Sequence, residues 1–383
     1  MTPFPRRATA LAGSRHDVVV VGGGPAGLAA AIVAAEIGAS VLVVERRTLP
    51  PDKACGEGLL PPAVRALDRL GVLGEIAAPE RRPFAGIRFV QEDGTSARLP
   101  LPSGGLGVRR TALVEAMARR ATRLGVTIVE RTAVAGVDRS PAGAIVRTSH
   151  GDVDANLVIA ADGLHSPLRR DAGLNAAPGR HRRFAMRQHF AVRPWSDCVE
   201  VHVDEHGEAV ATPVGERAVN VNVVWDADTF AHPTWERLAA RFPALTTHLE
   251  SSVPLSTVRG AGPMERRATR RTCERMLLIG DAGGFIDSIA ADGLSMAFNS
   301  ALVLREALPT ILARQSTVAS LAGYERAARR LFRGYHGVTG SLLWIARHPR
   351  VRRPLVRFLG RHEALGDAVM SGAMRLMLAN VPA

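Results

Sequence analysis

The feature that most constrains this chain is a glycine-rich turn between a short apolar strand and a helix of small residues. An apolar, β-branched run at 17–21 leads into a G-x-G-x-x-G motif at 22–27, and a helix-forming run at 28–37 follows. A second strand at 41–44 ends in Glu45, at the spacing of about 20 residues that is typical of such a unit. This order predicts a βαβ unit that binds a dinucleotide.

Each small residue of the motif has a physical role in this interpretation. Gly22 lets the chain turn tightly, Gly24 lets backbone approach a pyrophosphate, and Gly27 lets helix and strand pack closely. Pro25 and Ala26 open the helix, whose N-terminus presents unpaired N–H groups and the positive end of its dipole to phosphates. We therefore expect all five residues at the nucleotide.

The acid at the end of the second strand indicates how the ribose is held. The Glu45 carboxylate can accept hydrogen bonds from both ribose hydroxyls, and Arg46 beside it is expected close to the nucleotide. Arg46 and Arg47 would also suit a 2′-phosphate, but the negative charge of Glu45 would repel one. The motif alone is compatible with NAD or FAD.

Two later strands also end in acidic motifs. An apolar strand at 157–161 ends in Asp162 and a glycine, and another at 276–279 ends in Gly280 and Asp281. Both acids follow the carboxyl ends of strands, where doubly wound sheets bind their ligands. We expect them in the same cleft as the glycine motif, although a helix N-cap is an alternative role for each.

These motifs, with Arg110 at an R-x-x-L helix start, resemble those of the FAD-dependent hydroxylases of the p-hydroxybenzoate hydroxylase superfamily, the group A flavin monooxygenases. The resemblance extends from residue 17 to about residue 336. Within the superfamily, the segments at 53–59 and 284–288 are most similar to the geranylgeranyl-reductase-like branch. The resemblance implies an α/β fold: a Rossmann-type FAD-binding domain with an inserted antiparallel β-sheet substrate domain and a helical C-terminus.

The resemblance also implies a role for each motif residue. Glu45 would hold the adenosine ribose, and Arg110 would lie near the phosphates of FAD. Asp281, with Gly280 before it, would bind a ribityl or phosphate-side oxygen. Asp162 would lie between the flavin and nicotinamide regions, since the family takes its electrons from NADH or NADPH.

A loop at 287–293 and a helix at 294–308 are expected to meet the flavin ring. Reduced flavin carries negative charge near N1 and the C2 carbonyl, and N–H groups of Gly293 and Leu294 at the helix N-terminus would stabilise it. An inward-facing Asp292 would oppose this effect, so we expect its side chain to face outward as a cap. Pro309 is expected to end the helix.

Lys53 and Cys55 are the first catalytic candidates, because the resemblance places their loop over the isoalloxazine. Lys53 is the only lysine among 49 basic residues, and an ammonium changes its pKa on burial as a guanidinium does not. A surface lysine is the alternative. Cys55 is either a small residue that fits against the flavin or a redox-active thiol.

The region from 180 to 225 reads as a series of short strands, and one of its faces is expected to meet substrate. The strand at 199–203 alternates valines with polar residues, which predicts a half-buried strand. His189 is the first candidate for a general base, because histidine titrates near neutral pH. The other polar candidates on this sheet are Gln188, His202, Asn220 and Asn222.

The resemblance and the strand pattern together predict a discontinuous domain organisation. The predicted parts are a flexible arm at 1–16, an FAD-binding domain at 17–84, 105–179 and 262–336, a substrate-binding β domain at 85–104 and 180–261, and a basic amphipathic helical C-terminal segment at 337–383.

Composition excludes several other classes. The chain has a formal net charge of +13, but its basic residues are nearly all arginine, which indicates genome base composition more than a nucleic-acid-binding surface. Three unpatterned cysteines indicate neither disulfides nor a metal site, and they favour a reducing compartment. With no signal peptide or membrane span recognised, we expect a cytoplasmic protein that binds no nucleic acid.

Arginines and apolar residues alternate near the C-terminus. Six arginines lie between 347 and 361, flanked by apolar segments at 341–346 and 368–378. One interpretation is a set of basic amphipathic helices on an anionic membrane, which would place the protein on its inner face. The other is a helical cap over the substrate pocket. In either case Pro349 and Pro354 argue against one long helix.

The function predicted from these observations is that of an FAD-dependent oxidoreductase. The Asp162 motif favours an NADH- or NADPH-dependent monooxygenase that hydroxylates a hydrophobic aromatic, phenolic-lipid or polyketide substrate. The Cys55 loop favours the alternative, a reductase of prenyl or isoprenoid double bonds. A flavin halogenase ranks third, because the W-x-W-x-I-P motif of that family is absent. A non-enzymatic redox sensor or electron carrier would not need the inserted sheet.

Overall fold

The computed structural model describes residues 11–177, 179, 182–230 and 232–378. Outside the described part lie the first ten residues of the predicted arm and the last five residues of the chain. Residue 180, at which the predicted substrate-binding segment begins, also lies outside it. Within it, Leu11 is buried and the first strand begins at Ser14, three residues earlier than the sequence pattern indicated.

Ten α-helices and nineteen strands occur in the described residues. The strands are β1 (Ser14–Val21), β2 (Val41–Val44), β3 (Gly58–Leu59), β4 (Arg81–Gln91), β5 (Ser96–Val108), β6 (Thr127–Val129), β7 (Val134–Ser140), β8 (Gly143–Thr148), β9 (Gly151–Ala160), β10 (Arg183–Ala191), β11 (Cys198–Val203), β12 (Gly207–Gly215), β13 (Ala218–Asp226), β14 (Val253–Pro254), β15 (Arg259–Ala261), β16 (Arg266–Arg267), β17 (Thr272–Cys273), β18 (Met276–Leu278) and β19 (Gly284–Phe285). The helices are α1 (Pro25–Glu36), α2 (Pro61–Arg69), α3 (Arg110–Arg123), α4 (Pro167–Asp171), α5 (Trp235–Ala239), α6 (Pro243–Thr246), α7 (Gly293–Ala313), α8 (Val318–Ala346), α9 (Pro349–Arg361) and α10 (Glu363–Leu378).

The first sheet has eight strands, and β1 lies at its centre. Five strands form the parallel ladder β18-β9-β1-β2-β6, while β17 pairs antiparallel at one edge and β7 and β8 extend from β9. Helix α1 follows β1 and is buried from Leu28 to Ala34, which explains why it has no polar face. The predicted βαβ unit is confirmed, and the carboxyl ends of β1, β9 and β18 meet at one edge.

The second sheet has nine strands in the order β14-β10-β13-β12-β11-β4-β5-β3, with β15 beside β10. Its pairs are antiparallel except for β11 and β4, which run parallel. Strand β11 was expected to be half buried, but both of its faces are buried. The polar face can be buried because the Glu200 carboxylate accepts hydrogen bonds from Trp195 Nε1 at 2.9 Å and pairs with His202 Nε2 at 3.2 Å.

Two prolines lie inside helices, and the prediction that Pro309 ends its helix was wrong. Helix α7 continues past Pro309 to Ala313, and α9 contains Pro354. Each proline removes one backbone hydrogen bond, but residues close to it remain packed. Near Pro309, Leu308 and Ile311 are fully buried, and near Pro354, Val356 is buried. Packing therefore offsets the lost bond at both sites. Helices α8 and α9 do separate before Pro349, as expected.

The C-terminal helices α9 and α10 cover part of the second sheet. Val356 and Leu359 of α9 pack against Ala97 and Leu99 of β5, and Met370 and Met374 of α10 join the apolar cluster that contains the valines of β11. One face of this segment thus serves the fold as a cap. No helix in the described part of the chain is both long and apolar enough to cross a membrane.

Candidate functional site

The glycine motif lies at the turn between β1 and α1, and two of its glycines are demanded by neighbouring backbone. Gly22 has a φ of +112°, and a Cβ there would lie 2.4 Å from the carbonyl oxygen of Ala161. A Cβ on Gly27 would lie 1.9 Å from the carbonyl oxygen of Gly22. Gly24 differs, because the nearest atom to its hypothetical Cβ is the flexible end of Arg110 at 3.6 Å. Neighbouring backbone therefore leaves no room for a side chain at Gly22 or Gly27, whereas the space beside Gly24 is open, as a bound pyrophosphate requires.

Glu45 lies at the end of β2, beside the glycine turn. Its Oε2 accepts a hydrogen bond of 2.7 Å from the Gly23 N–H, and its Oε1 accepts one of 2.9 Å from the Arg47 N–H. These bonds hold the carboxylate at the edge of the cleft, where ribose hydroxyls could reach it. The neighbouring Arg46 is exposed to solvent.

Arg110 opens α3 on the opposite side of Gly24. Its N–H donates to Glu57 Oε1 at 2.9 Å, and its Nε is buried without a partner among the described residues. Oδ1 of Asp162 is also buried and unpaired there, while its Oδ2 accepts from the Leu168 N–H at 3.2 Å. Unpaired buried polar atoms beside an open glycine turn fit a bound dinucleotide.

The Gly280–Asp281 motif faces the start of α1. Gly280 has a φ of +58°, and a Cβ there would lie 2.5 Å from Cβ of Ala26. Burial raises the pKa of Asp281, although the positive charges of Lys53 and Arg110 act in the other direction. The carboxyl is therefore close to two cations that would also face phosphates.

Arg169 connects the two acidic motifs, and sequence reasoning missed it. Its buried guanidinium donates to the carbonyl oxygens of Asp281, Ala282 and Leu164 at 3.2, 2.9 and 2.9 Å, and to Oδ1 of Asn175 at 2.7 Å. It therefore holds together the loops that follow β9 and β18. Because arginine is so common in this chain, nothing in the sequence marks this one.

Lys53 reaches into the cleft from the loop that follows β2. Part of its side chain remains exposed, and its Nζ lies 3.5 Å from where a Cβ on Gly163 would lie. The surrounding protein lowers the pKa of its ammonium by limiting hydration, and the positive charge of Arg110 adds to this effect. The predicted association of Lys53 with the cofactor cleft thus has a geometric basis, and its catalytic role stays a prediction.

A buried polar network holds this loop against the second sheet. Glu57 Oε2 lies 2.6 Å from Nε2 of His189, and both residues are almost fully buried. Nδ1 of His189 lies 3.0 Å from Oγ of Ser256. Arg187, which has no exposed surface, donates to the Lys53 carbonyl at 3.0 Å and to the Asp52 carboxylate.

His189 therefore lies behind the loop and does not face an open pocket. Its catalytic role stays a prediction, whereas its contact with Glu57 is a structural one. Glu57 was missed as a site residue, although its place two residues after Cys55 was a usable signal. Asn220 donates from Nδ2 to the Cys55 carbonyl at 2.8 Å, and Gln188 donates to the Ser256 carbonyl at 3.1 Å. Cys55 itself is partly exposed.

The loop before α7 was predicted to meet the flavin ring with Asp292 facing outward, but Asp292 does not face outward. Its side chain is 4 % exposed, makes no capping hydrogen bond and lies 3.5 Å from Oγ1 of Thr339 on α8. The outward orientation was wrong because α8 covers this loop. Burial raises the pKa of Asp292 to about 7. Gly293 and Leu294 begin α7 and are partly exposed, so their N–H groups are accessible.

A second buried network joins this loop to the second sheet. Arg183 on β10 donates to Oδ1 of Asp287 at 2.6 Å and to the carboxylate of Glu208, and all three side chains are buried. Burial raises the pKa of Glu208 to about 7. Asp226, near Arg183, also pairs with Arg347 at the end of α8. The loop, the sheet and the C-terminal helices are thus electrostatically connected.

The buried Asp292 carboxyl predicts a specific dependence of stability on pH. Its folded-state pKa of about 7 lies above the ordinary value, so its ionisation destabilises the fold. Stability is therefore full below the ordinary pKa and falls as pH rises towards 7. Wild type should lose about 2–3 kcal/mol from this group between pH 5 and pH 8, and Asp292→Asn should not.

Urea unfolding of the apoprotein at both pH values measures this difference. Asp171→Asn, at an exposed position on α4, is the control and should keep the wild-type dependence. The same dependence in Asp292→Asn as in wild type would show that the carboxylate is solvated.

The open side of Gly24 predicts that binding and folding can be separated at this residue. Gly24 has ordinary extended backbone with φ −79°, and an added side chain would meet only Arg110. Gly24→Val should therefore fold with a melting temperature close to that of wild-type apoprotein, yet lose the FAD that the resemblance implies by at least about a hundredfold in affinity, because it blocks the phosphates. Fluorescence titration measures the affinity. A variant that still binds FAD normally would contradict the assignment.

Comparisons with known proteins agree with this geometry. A protein family described as an FAD binding domain matches residues 15–335. A digeranylgeranylglycerophospholipid reductase of Methanothermobacter thermautotrophicus is 27 % identical over 334 residues, which cover 82 % of this chain and 82 % of the relative. A menaquinone reductase of Mycobacterium tuberculosis is 38 % identical over 167 residues, or 41 % of this chain and 40 % of the relative.

Among solved structures, p-nitrophenol 4-monooxygenase of Pseudomonas putida superposes with a TM-score of 0.81 at 19 % identity. The superposition covers 95 % of this chain and 99 % of that one, and at this identity it shows a shared fold. The family match covers most of the chain and includes the glycine turn, Glu45, Arg110 and both acidic motifs. The chain therefore belongs to the FAD-binding-domain family of flavoprotein oxidoreductases, and FAD is its cofactor.

Proposed function

We propose that this oxidoreductase saturates isoprenoid double bonds in a lipid. This was the alternative in the sequence analysis, and it now ranks above ring hydroxylation. The digeranylgeranylglycerophospholipid reductase that aligns over most of the chain supports it, and so does the menaquinone reductase. The names of both describe reductases, and the name of the first includes geranylgeranyl groups, which are isoprenoid chains with double bonds.

The observation that carries the choice is the burial of the candidate bases. A phenol hydroxylase needs a base that can draw a proton from its substrate. His189 is 1 % exposed and bound to Glu57, and His202 is 5 % exposed and bound to Glu200. Neither imidazole can reach a substrate in this arrangement. A double-bond reductase has no need of such a base.

The loop from Lys53 to Glu57 would hold the groups that face the substrate. Bound FAD supplies the hydride for such a reduction, and NADH or NADPH is the expected source of electrons. The second carbon of the double bond requires a proton, and the Lys53 ammonium and the Cys55 thiol are the two candidate donors in the loop. The lowered pKa of Lys53 favours proton release from it.

The buried network would keep these two donors in position. Arg187 binds the Lys53 carbonyl, Asn220 binds the Cys55 carbonyl, and Glu57 is bound to His189. Backbone anchored at three points loses little freedom when substrate binds, so the donors are held ready for the reaction. His189 acts in this proposal as a positioning residue.

Anaerobic turnover tests the proposed reaction. The FAD-loaded protein, NADPH or NADH and a geranylgeranyl ether lipid are mixed without oxygen, and products are measured by mass spectrometry. The expected product carries two additional hydrogens for each saturated bond. A product that forms only in air and incorporates one atom of labelled oxygen would contradict the proposal and identify a monooxygenase.

The exchange of lysine for arginine tests the proton donor. Lys53→Arg keeps the positive charge, but a guanidinium does not release its proton, so product formation should fall at least about tenfold while FAD stays bound. Arg237→Lys, an exposed residue on α5, is the control and should leave turnover unchanged. An unaltered rate in Lys53→Arg would remove Lys53 from the mechanism and leave Cys55 as the candidate.

A further inference from the structure

A group of large apolar side chains is exposed on the last three helices. Six of the twelve large apolar residues that are exposed in the described part of the chain lie between 344 and 376. We refer to them as the C-terminal surface; they are Trp344, Val351, Phe358, Leu365, Val369 and Leu376. Their exposed fractions range from 39 % to 64 %, which is unusual for so short a segment.

These side chains belong to none of the apolar clusters of the described residues, although Trp344 and Phe358 each contact a histidine four residues later, His348 and His362. Helix α9 packs through Val356 and Leu359 on β5, and α10 packs through Met370, Met374 and Met377 on the apolar clusters beneath it. Both helices therefore turn their inner faces to the protein. Their outer faces, which carry five of the six exposed residues, point away from the sheet that they cover.

The exposed residues follow helical spacing. Val351 and Phe358 are seven residues apart on α9, and Leu365, Val369 and Leu376 are four and seven apart on α10. Residues at such intervals share one side of a helix. Each outer face thus carries exposed apolar side chains along one side of its helix, which we call its apolar stripe.

An arginine stripe runs beside the apolar stripe on α9. Arg350, Arg357 and Arg361 are exposed and are also spaced by seven and four residues, and Arg350 and Arg357 directly precede Val351 and Phe358. Arg357 lies 3.6 Å from the exposed Asp93, and Arg375 adds an exposed cation on α10. The outer face of α9 is therefore half cationic and half apolar.

Three other arginines of the C-terminal segment are engaged in ion pairs within the protein. Arg352 and Arg353 pair with Glu92, and Arg347 pairs with Asp226. These three hold the cap on the second sheet. The sequence suggested two roles for the segment, a helix on a membrane surface and a cap on the protein. The three paired arginines serve the cap, whereas the arginine stripe of α9 is exposed.

We propose that the C-terminal surface docks on an anionic lipid membrane. The arginine stripe would meet anionic headgroups, and the apolar stripe would enter the boundary between headgroups and acyl chains. Trp344 and Phe358 suit that boundary because aromatic side chains concentrate there. A second copy of the chain fits less well, because a symmetric contact would bring arginine stripes with the same charge together.

Vesicle co-sedimentation tests this docking with the FAD-loaded protein. We expect binding to vesicles of phosphatidylglycerol and phosphatidylcholine at about 50 mM salt, and at least about tenfold weaker binding at about 500 mM, since salt screens surface charge. Vesicles of phosphatidylcholine alone should bind at least about tenfold less. The measurement needs no turnover, so it is independent of the proposed reaction.

Two double variants separate the two stripes. Arg350→Glu with Arg361→Glu should weaken binding to anionic vesicles at least about tenfold, and Val351→Ser with Phe358→Ser should weaken it at both salt concentrations. Arg237→Glu with Arg314→Glu makes the same charge change at exposed positions on α5 and after α7, and it should bind like wild type. FAD content and melting temperature check that each variant folds.

Three outcomes would overturn the proposal. One is a wild-type protein that does not bind anionic vesicles at low salt. Another is equal weakening by the control double variant, which would make net charge the cause. The last is a wild-type dimer that the Val351→Ser, Phe358→Ser variant converts to a monomer while vesicle binding is unchanged, since a second copy would then cover the stripe.

Discussion

The buried contact between Glu57 and His189 holds the loop before β3 in place between helix α3 and strand β10. Glu57 has a φ of +59°, an uncommon backbone conformation for a side chain of this size. It is stable here because the carboxylate is bonded on both sides, to the Arg110 N–H and to His189. One buried carboxylate thereby links helix α3, which begins beside the glycine turn, to the second sheet. Without His189, its charge would be buried and poorly compensated.

A second ion cluster has the same effect at the other end of the cleft. Arg183 pairs with two buried carboxyl groups, those of Asp287 and Glu208. Removal of such a cation typically costs about 3–5 kcal/mol, because the remaining charges stay buried. The flavin loop before α7 is therefore positioned by charge, whereas the glycine turn at Gly22 is positioned by backbone contact. The two ends of one cofactor site depend on different kinds of interaction.

The nucleotide end could be predicted from sequence because its requirements are local. A Cβ at Gly22 or Gly27 would overlap backbone oxygen, so only glycine fits, and glycine at that spacing is visible in the sequence. The fold class followed from the same motif. The contacts that join the rest of the site could not be predicted from the sequence. Arg169, Arg183 and Arg187 join segments that are distant along the chain. A single arginine also carries no signal in a chain so rich in arginine. Asp292 was placed outward because the position of α8 above it depends on tertiary packing.

The difference between the two ends has an evolutionary consequence. Backbone contacts at Gly22 and Gly27 tolerate no side chain, so the nucleotide half can change little without loss of the turn. The second sheet is attached through side-chain pairs, such as Arg183 with Asp287 and Arg187 with Asp52, which can be exchanged in concert for other pairs. A lineage could therefore replace the residues of this sheet one by one around an unchanged cofactor. Such independence would allow a scaffold shared at 19 % identity and a TM-score of 0.81 to serve different chemistries.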